Sequence, residues 1–521
     1  MNRRNFLLKS NLFAAGVFFY PSCDGINIKS SNLSSSSRPD LISEPVFFIE
    51  SKNEMSEIDG YKYALLWAGN EEDGLYQREE SDWKLLKTTS INLDWIKGDD
   101  LPEQKVKRII EINHSEKKPE YAVYFPEGEF EFADVIHSDD QYFWGVGTII
   151  PKPGQNDRTL RINGNGNIVS GLSFFEKTFC RGLLELDGND NLVENCKFYK
   201  ANKSTSNRVI YSDRFLYIRN PQGQRNQVRR CEFVNGRIGA SLEGNYKILD
   251  CSVSHCITGL LLRPSSNGSE IAFNHIFEND VNHHSGADGI LAQRNVTNLH
   301  IHHNDITKSG EHGIYFQGDS SLIENNNVSE NHRSGIKLAS YTSNLFEHPK
   351  MQRDPYLGFN NVIKKNICIG NSKDEKDTTN AGIYLQAPLE NIRVEENDCS
   401  DNNYGIRSTS LANLRTEELE SRARLRDLYI INNIAHNTRR ASLYIEGERD
   451  VYIEKNRVDS LLTNAKTSSH RLVGAVIKNN EIKGELTLNR AQEAEISNNK
   501  IGRINIISNS QNRNHRIRNN D

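Results

Sequence analysis

The chain has 521 residues, enough for two to four ordinary domains or one long repeat solenoid. Its charges nearly balance, 64 Lys and Arg against 69 Asp and Glu, which gives no reason to expect nucleic acid as a partner. No apolar run reaches the ~18–20 residues of a spanning helix, so helical membrane spans are excluded, and Val, Ile, Leu and Phe recur too regularly for a disordered chain.

The first 22 residues read as an address. Arg3-Arg4-Asn5-Phe6-Leu7-Leu8-Lys9 precedes a short apolar stretch, Leu12 to Tyr20, of the length of a signal h-region. The segment resembles a twin-arginine export signal, and Ser22-Cys23 resembles a lipoprotein processing site. The expectation is an exported protein in the periplasm or at the cell surface, held to a membrane by a lipid on Cys23. Residues 23–40, with Ser34 to Ser37, read as a flexible tether. Residues 41–100 read as a small β module: Tyr63–Trp67, Gly74–Tyr76 and Ser81–Leu86 have strand character, and Trp67, Trp83 and Trp95 suit its core. Between Pro102 and Asn113, the spacing of Val106, Ile109 and Ile110 predicts an amphipathic helix that caps the domain following it, residues 101–521.

Asn marks that domain. Of 60 Asn residues, 51 lie beyond residue 150, and they recur in the pattern aliphatic-x-x-Asn-x-aliphatic. Ile271…Asn274, Ile301…Asn304, Ile323…Asn326, Ile363…Asn366, Val394…Asn397, Ile430…Asn433, Ile453…Asn456, Ile477…Asn480 and Ile496…Asn499 carry it, with Cys196, Cys231 and Cys251 in the Asn place upstream. Twelve positions from 196 to 499 give (499−196)/11, about 27.5 residues per repeat, a solenoid period. A second register of Gly-aliphatic pairs runs beside it: Gly259, Gly289, Gly313, Gly335, Gly382 and Gly405. Each repeat therefore holds at least two short strands, and stacking sets equivalent side chains ~4.8 Å apart. A buried, unbonded Asn would cost ~1–3 kcal/mol, so the inward row must be a bonded ladder. Insertions at 341–360, 371–380 and 411–426 would wall one face. The cysteines beyond Cys23 hold ladder or inward positions and contain no CxxC, so they read as small buried hydrophobes; Cys231 and Cys251 are close enough to pair.

These repeats resemble the right-handed parallel β-helix of the pectate-lyase superfamily. Tyr121-Ala-Val-Tyr-Phe-Pro-Glu-Gly128 and Gly145-Val-Gly147 are similar to the entry strand and turn of pectate-lyase-like and tailspike-like proteins. The fold expected is all-β: a right-handed parallel β-helix of about 12 rungs, with a capping helix and the small β module before it. The resemblance implies carbohydrate chemistry and, in its lyases, an Arg or Lys base with Ca²⁺ on the substrate carboxylate. No motif carries those roles onto particular residues here.

Counting from the Gly of the second register places polar groups together on three successive rungs. Asp288, Gln293 and Arg294 come first, then Glu311, His312, Tyr315 and Gln317, then Arg333 and Lys337. Tyr315, Lys337, Tyr384 and Arg407 share one outward position. Eight of the 15 histidines fall within 275–332, which draws attention to this patch. His300-x-His302-His303 has spacing suited to Zn but no evident carboxylate partner, so no metal site is assigned.

Three function classes fit a polysaccharide ligand. A lyase acting by β-elimination on a uronate needs a carboxylate neutraliser (Arg333 or Arg294), a base (Lys337 or His312) and an acid (Tyr315). An epimerase shares its first half-reaction. A glycoside hydrolase would use Asp288 and Glu311 as its two carboxylates. A non-catalytic binding or adhesive surface would use Tyr315 and Tyr384. The lyase is the leading expectation, with Arg333, Arg294, Gln293, Gln317, Tyr384 and Arg407 binding substrate.

Overall fold

A computed structural model describes residues 41–42, 46–49, 53, 63–66, 74–79, 82–85, 90–92, 102–113, 122–154, 157–202, 213–279, 286–339, 358–372, 379–409, 425–446, 449–464, 472–507 and 514–521. The export signal, the tether, Cys23, Trp67, Trp95, His283, His284 and most of the three insertions lie outside them.

From residue 122 onward the chain winds through three parallel sheets, once per repeat. The first sheet carries the segment before each ladder position, for example His300–His302 paired with Leu322–Glu324. The second follows the ladder, as in His275–Phe277 against Asp305–Thr307. The third holds the Gly-aliphatic register, as in Ile290–Ala292, Ile314–Phe316 and Ile336–Ala339. One residue out of two points inward, so Ile271, Ile301, Ile323 and Ile363 stack in a single core that runs the length of the solenoid. On the second sheet the inward row includes Phe174, Phe198 and Phe233, whose rings stack at 4.7 and 4.9 Å.

The ladder holds these sheets in register. Asn304 Nδ2 donates to Asn326 Oδ1 at 2.9 Å, to the Ile271 carbonyl of the preceding rung at 2.8 Å and to the His302 carbonyl of its own strand at 3.0 Å. Its Oδ1 accepts the backbone and side-chain N–H groups of Asn274. The same links join Asn326 to Asn366, and continue through Asn397, Asn433, Asn456, Asn480 and Asn499. They end at Asn520, one rung beyond the repeat recognised in the sequence. Cys196, Cys231 and Cys251 keep part of this bonding: each thiol reaches the carbonyl two residues back, at 3.3 to 3.4 Å. All seven described cysteines are buried free thiols, so Cys231 and Cys251 are not bridged. A second ladder, five residues further on, comprises Asn331, Asn371 and Asn402 at the corner into the third sheet.

The residue before each ladder Asn turns the corner in the left-handed region. Phe273, His303, Asn325, Lys365, Glu396, Asn432 and Lys455 have φ between 54° and 59°. That conformation costs roughly 1–2 kcal/mol for a residue with a Cβ, and the ladder bonds offset it.

The helix Pro102–Asn113 forms as expected, with Val106, Ile109 and Ile110 buried in the same core. Upstream, Val46–Ile49, Tyr63–Leu66, Gly74–Glu79 and Asp82–Leu85 make a small four-stranded sheet. Ser90–Asn92 departs from the separate-module reading: it pairs in parallel with Ala122–Phe125 and so extends the first sheet of the solenoid.

Replacing one ladder amide strands several buried groups. Asn366→Ala should lower the unfolding free energy by at least ~1–3 kcal/mol. Lys365→Gly, one residue earlier, relieves the left-handed turn and should raise stability by a few tenths to ~1 kcal/mol. Denaturant unfolding of the two variants checks both signs.

Candidate functional site on the third sheet

The outward row of the third sheet reads, rung by rung, Leu261, Leu291, Tyr315, Lys337, Tyr384, Arg407, Tyr444. Leu261 and Leu291 are buried apolar residues, so the polar patch begins at Tyr315. The Lys337 ammonium lies 4.8 Å from the centre of the Tyr315 ring and 5.6 Å from that of Tyr384. Both rings offer a negative face to that charge, which suits a cation that holds a carboxylate better than a neutral amine that accepts a proton. Gln317 Nε2 donates to the Tyr315 hydroxyl oxygen at 2.9 Å. Gln317 and Gln293 follow their sheet strands on neighbouring rungs; both are half-buried, and Arg294 is exposed.

A second row lies beside the first, at the position just before the register Gly. It contains Asp288, His312, Ser334, Ala381 and Tyr404. His312 packs edge-on to Tyr315, with ring centres 5.5 Å apart. Its Nδ1 accepts the Ser334 backbone N–H at 3.2 Å. Burial, and then the charges of Lys337 and Arg333, hold the imidazole well below the usual histidine range. The ring is therefore neutral, with its hydrogen on Nε2: a donor rather than the base expected from the sequence.

Asp288 Oδ1 accepts the His312 backbone N–H at 3.1 Å, while its buried Oδ2 has no hydrogen-bond partner. Burial, and then the neighbouring Glu311 carboxylate, push the Asp288 carboxyl up to about 8, against the opposing pull of the His312 N–H, Lys337 and Arg333. Glu311 is fully engaged: Oε1 meets Arg333 at 2.6 Å and Oε2 accepts the Gly286 N–H at 2.7 Å.

Several expectations change here. Arg333, expected to neutralise a substrate carboxylate, is paired with Glu311, although its side chain stays partly exposed. Asp288 and Glu311 are 1% and 7% exposed, below the surface that a sugar could touch. Tyr384 and Arg407 are covered as well. Arg407 sits 4.9, 5.2 and 5.7 Å from the ring centres of Tyr404, Tyr444 and Tyr384, and the Tyr384 hydroxyl is bonded to Thr409. Tyr404 and Tyr444 escaped the sequence count because one precedes its Gly and the other follows Ser442, which replaces the Gly.

The histidine cluster divides among the three sheets, since each repeat visits all of them. His300 and His302 lie on the first sheet, bonded to Glu324 at 2.9 Å and Glu270 at 3.1 Å, which supplies the carboxylate partners that the sequence did not show. His275 lies on the second, bonded to Asp305, and His312 joins the patch. Among the described residues no group of three or more His, Cys, Asp and Glu is arranged to hold a metal ion. Nor do the site's carboxylates suit the Ca²⁺ that the resemblance implies, one being raised toward protonation and the other bound by Arg333. A cavity near the first rungs, lined by Glu176, Cys180, Lys200, Asp213 and Arg237, has about 10 Å³ of room, enough for one water but not for a sugar.

The family described as "Right handed beta helix region" matches residues 239–418. Similar solved structures include Dettilon tailspike protein (13% identity over 79% of this chain and 66% of that one, TM-score 0.36). The periplasmic alginate epimerase AlgG is another (13%, 74% and 77%, TM-score 0.38), as is DFA-IIIase from Arthrobacter chlorophenolicus A6 (11%, 69% and 94%, TM-score 0.42). The chain thus spans just under two thirds of the tailspike's length. No curated protein sequence matches. The fold is a right-handed parallel β-helix.

The two buried titrations run in opposite directions. Folded Asp288 keeps its proton beyond the ordinary 3.8, so stability falls as pH rises from about 4 to about 8. Folded His312 refuses the proton that the unfolded chain takes at 6.5, so stability falls as pH drops below that value. From pH 6.5 to 8 only the Asp288 slope remains, at most ~1.4 kcal/mol per pH unit. Thermal unfolding should therefore show wild-type stability declining over that window, with the decline absent in Asp288→Asn.

Proposed function

We propose that the patch around Tyr315 and Lys337 acts on an anionic, uronate-containing polysaccharide by removing the proton at C5, with β-elimination as the outcome. The observation that supports this most is the pairing of a half-exposed phenol with an ammonium 4.8 Å from its ring, on adjacent rungs. β-Elimination needs a cation on the carboxylate, because removal of the C5 proton drives charge onto it, and a group that moves the proton. Lys337 takes the first role and Tyr315 the second. His312, too buried to meet a ligand, orients the phenol. The hydrolase reading is weaker, because Asp288 and Glu311 would have to flank the scissile bond and neither reaches the surface.

The test is a panel of uronate polymers. A rise in ultraviolet absorbance from an unsaturated uronate end supports elimination. Reducing ends without it indicate hydrolysis, C5 inversion without cleavage indicates an epimerase, and binding without any product indicates an adhesive surface. Tyr315→Phe should lower kcat by ~10²–10⁴ with little change in KM, the usual effect of losing a positioned acid or base. Lys337→Ala should raise KM as well as lower kcat, and neither substitution should move the melting temperature appreciably.

A further inference from the structure

We propose that Tyr315, fixed by Gln317, is the single group that both removes and returns the proton, which limits the substrate to uronates whose C5 hydrogen and C4 oxygen lie on the same face of the ring. This rests on the elimination reading above and adds to it a substrate stereochemistry.

The argument begins with which groups can reach a sugar. Among the described residues, Lys337 lies against the faces of two rings, an arrangement that favours a cation, and Arg333, always protonated, pairs with Glu311. Asp288 and His312 are 1% and 2% exposed. Tyr384, Tyr404 and Tyr444 are each 8% exposed. Of these described groups that leaves the Tyr315 hydroxyl to move the proton, so acid and base stand on one side of the bound ring.

Gln317 prepares that oxygen. Its amide N–H points at the phenol oxygen from two residues further on, just past the end of the strand, and the Lys337 ammonium lies over the ring. Both stabilise negative charge on the phenol, as a base in this position requires.

The step then balances on one residue. The Tyr315 phenolate takes the C5 proton. The C5–H electron pair becomes the C4=C5 double bond, and the C4–O4 bond breaks. The departing O4 takes the proton back from the Tyr315 phenol. The products are a 4,5-unsaturated uronate and a new chain-end hydroxyl, and Tyr315 is again a phenolate. One oxygen can serve both atoms only if they lie on the same face. They do in D-mannuronate and D-glucuronate. They lie on opposite faces in D-galacturonate, inverted at C4, and in L-guluronate, inverted at C5.

The test compares polymers of these four sugars with the full-length protein, reading the unsaturated product. Product from mannuronate or glucuronate polymers alone is the expected result. Product from galacturonate or guluronate polymers to a similar extent overturns this inference while leaving elimination intact; no product from any of them overturns both. On the polymer that is cleaved, Gln317→Leu should move the ascending limb of the pH–rate profile to higher pH, and Gln317→Glu further still. Limbs that stay in place in both variants would remove Gln317 from its positioning role.

Discussion

The hydrogen bonds between ladder asparagines fix everything else in this molecule. One side-chain amide spans two rungs: it donates to the next amide, to the preceding rung and to its own strand. A one-residue slip would turn the inward aliphatic row of every strand, such as Ile271, Ile301, Ile323 and Ile363, to the solvent face, so register is locked wherever the ladder runs. The same lock forces the corner residue into a left-handed turn, even when it is Phe273 or Lys365. Ladder and corner are thus one device, with the bonds supplying what the backbone conformation costs.

Locked register on one sheet determines alignment on the others. Tyr315 and Lys337 lie 22 positions apart in sequence but directly opposite each other in the third sheet. No local preference brings them together; the repeat between them does. The ladder upstream tolerates cysteine because a thiol still reaches the carbonyl two residues back, although it cannot offer the oxygen that receives the neighbouring amide. Those rungs therefore lean more on apolar packing, including the stacked Phe174, Phe198 and Phe233.

Much of this architecture could be read from the sequence, because the ladder and the Gly register are periodic. Counting from Gly313 and Gly335 was enough to place Tyr315, Lys337, Tyr384 and Arg407 in one row. The histidines misled because proximity in sequence is not proximity on a face: His300 and His312 are twelve residues apart and lie on different sheets. Accessibility could not be counted either. Arg407 and Tyr384 look like outward ligand-binding groups until Tyr404 and Tyr444 close around them. The pairing of Arg333 with Glu311 likewise depends on how two side chains turn at a corner, which no period encodes.

The chemical claim at the centre of this account is that a proton leaves C5 of a uronate at Tyr315. A uronate polymer deuterated at C5 tests it directly, by comparing the turnover of labelled and unlabelled chains. Slower turnover of the deuterated polymer, a primary isotope effect on the rate, is the result expected from the geometry of Tyr315 and Lys337. Equal rates, with reducing ends released and the deuterium retained at C5, would contradict it and return the face to a hydrolytic role.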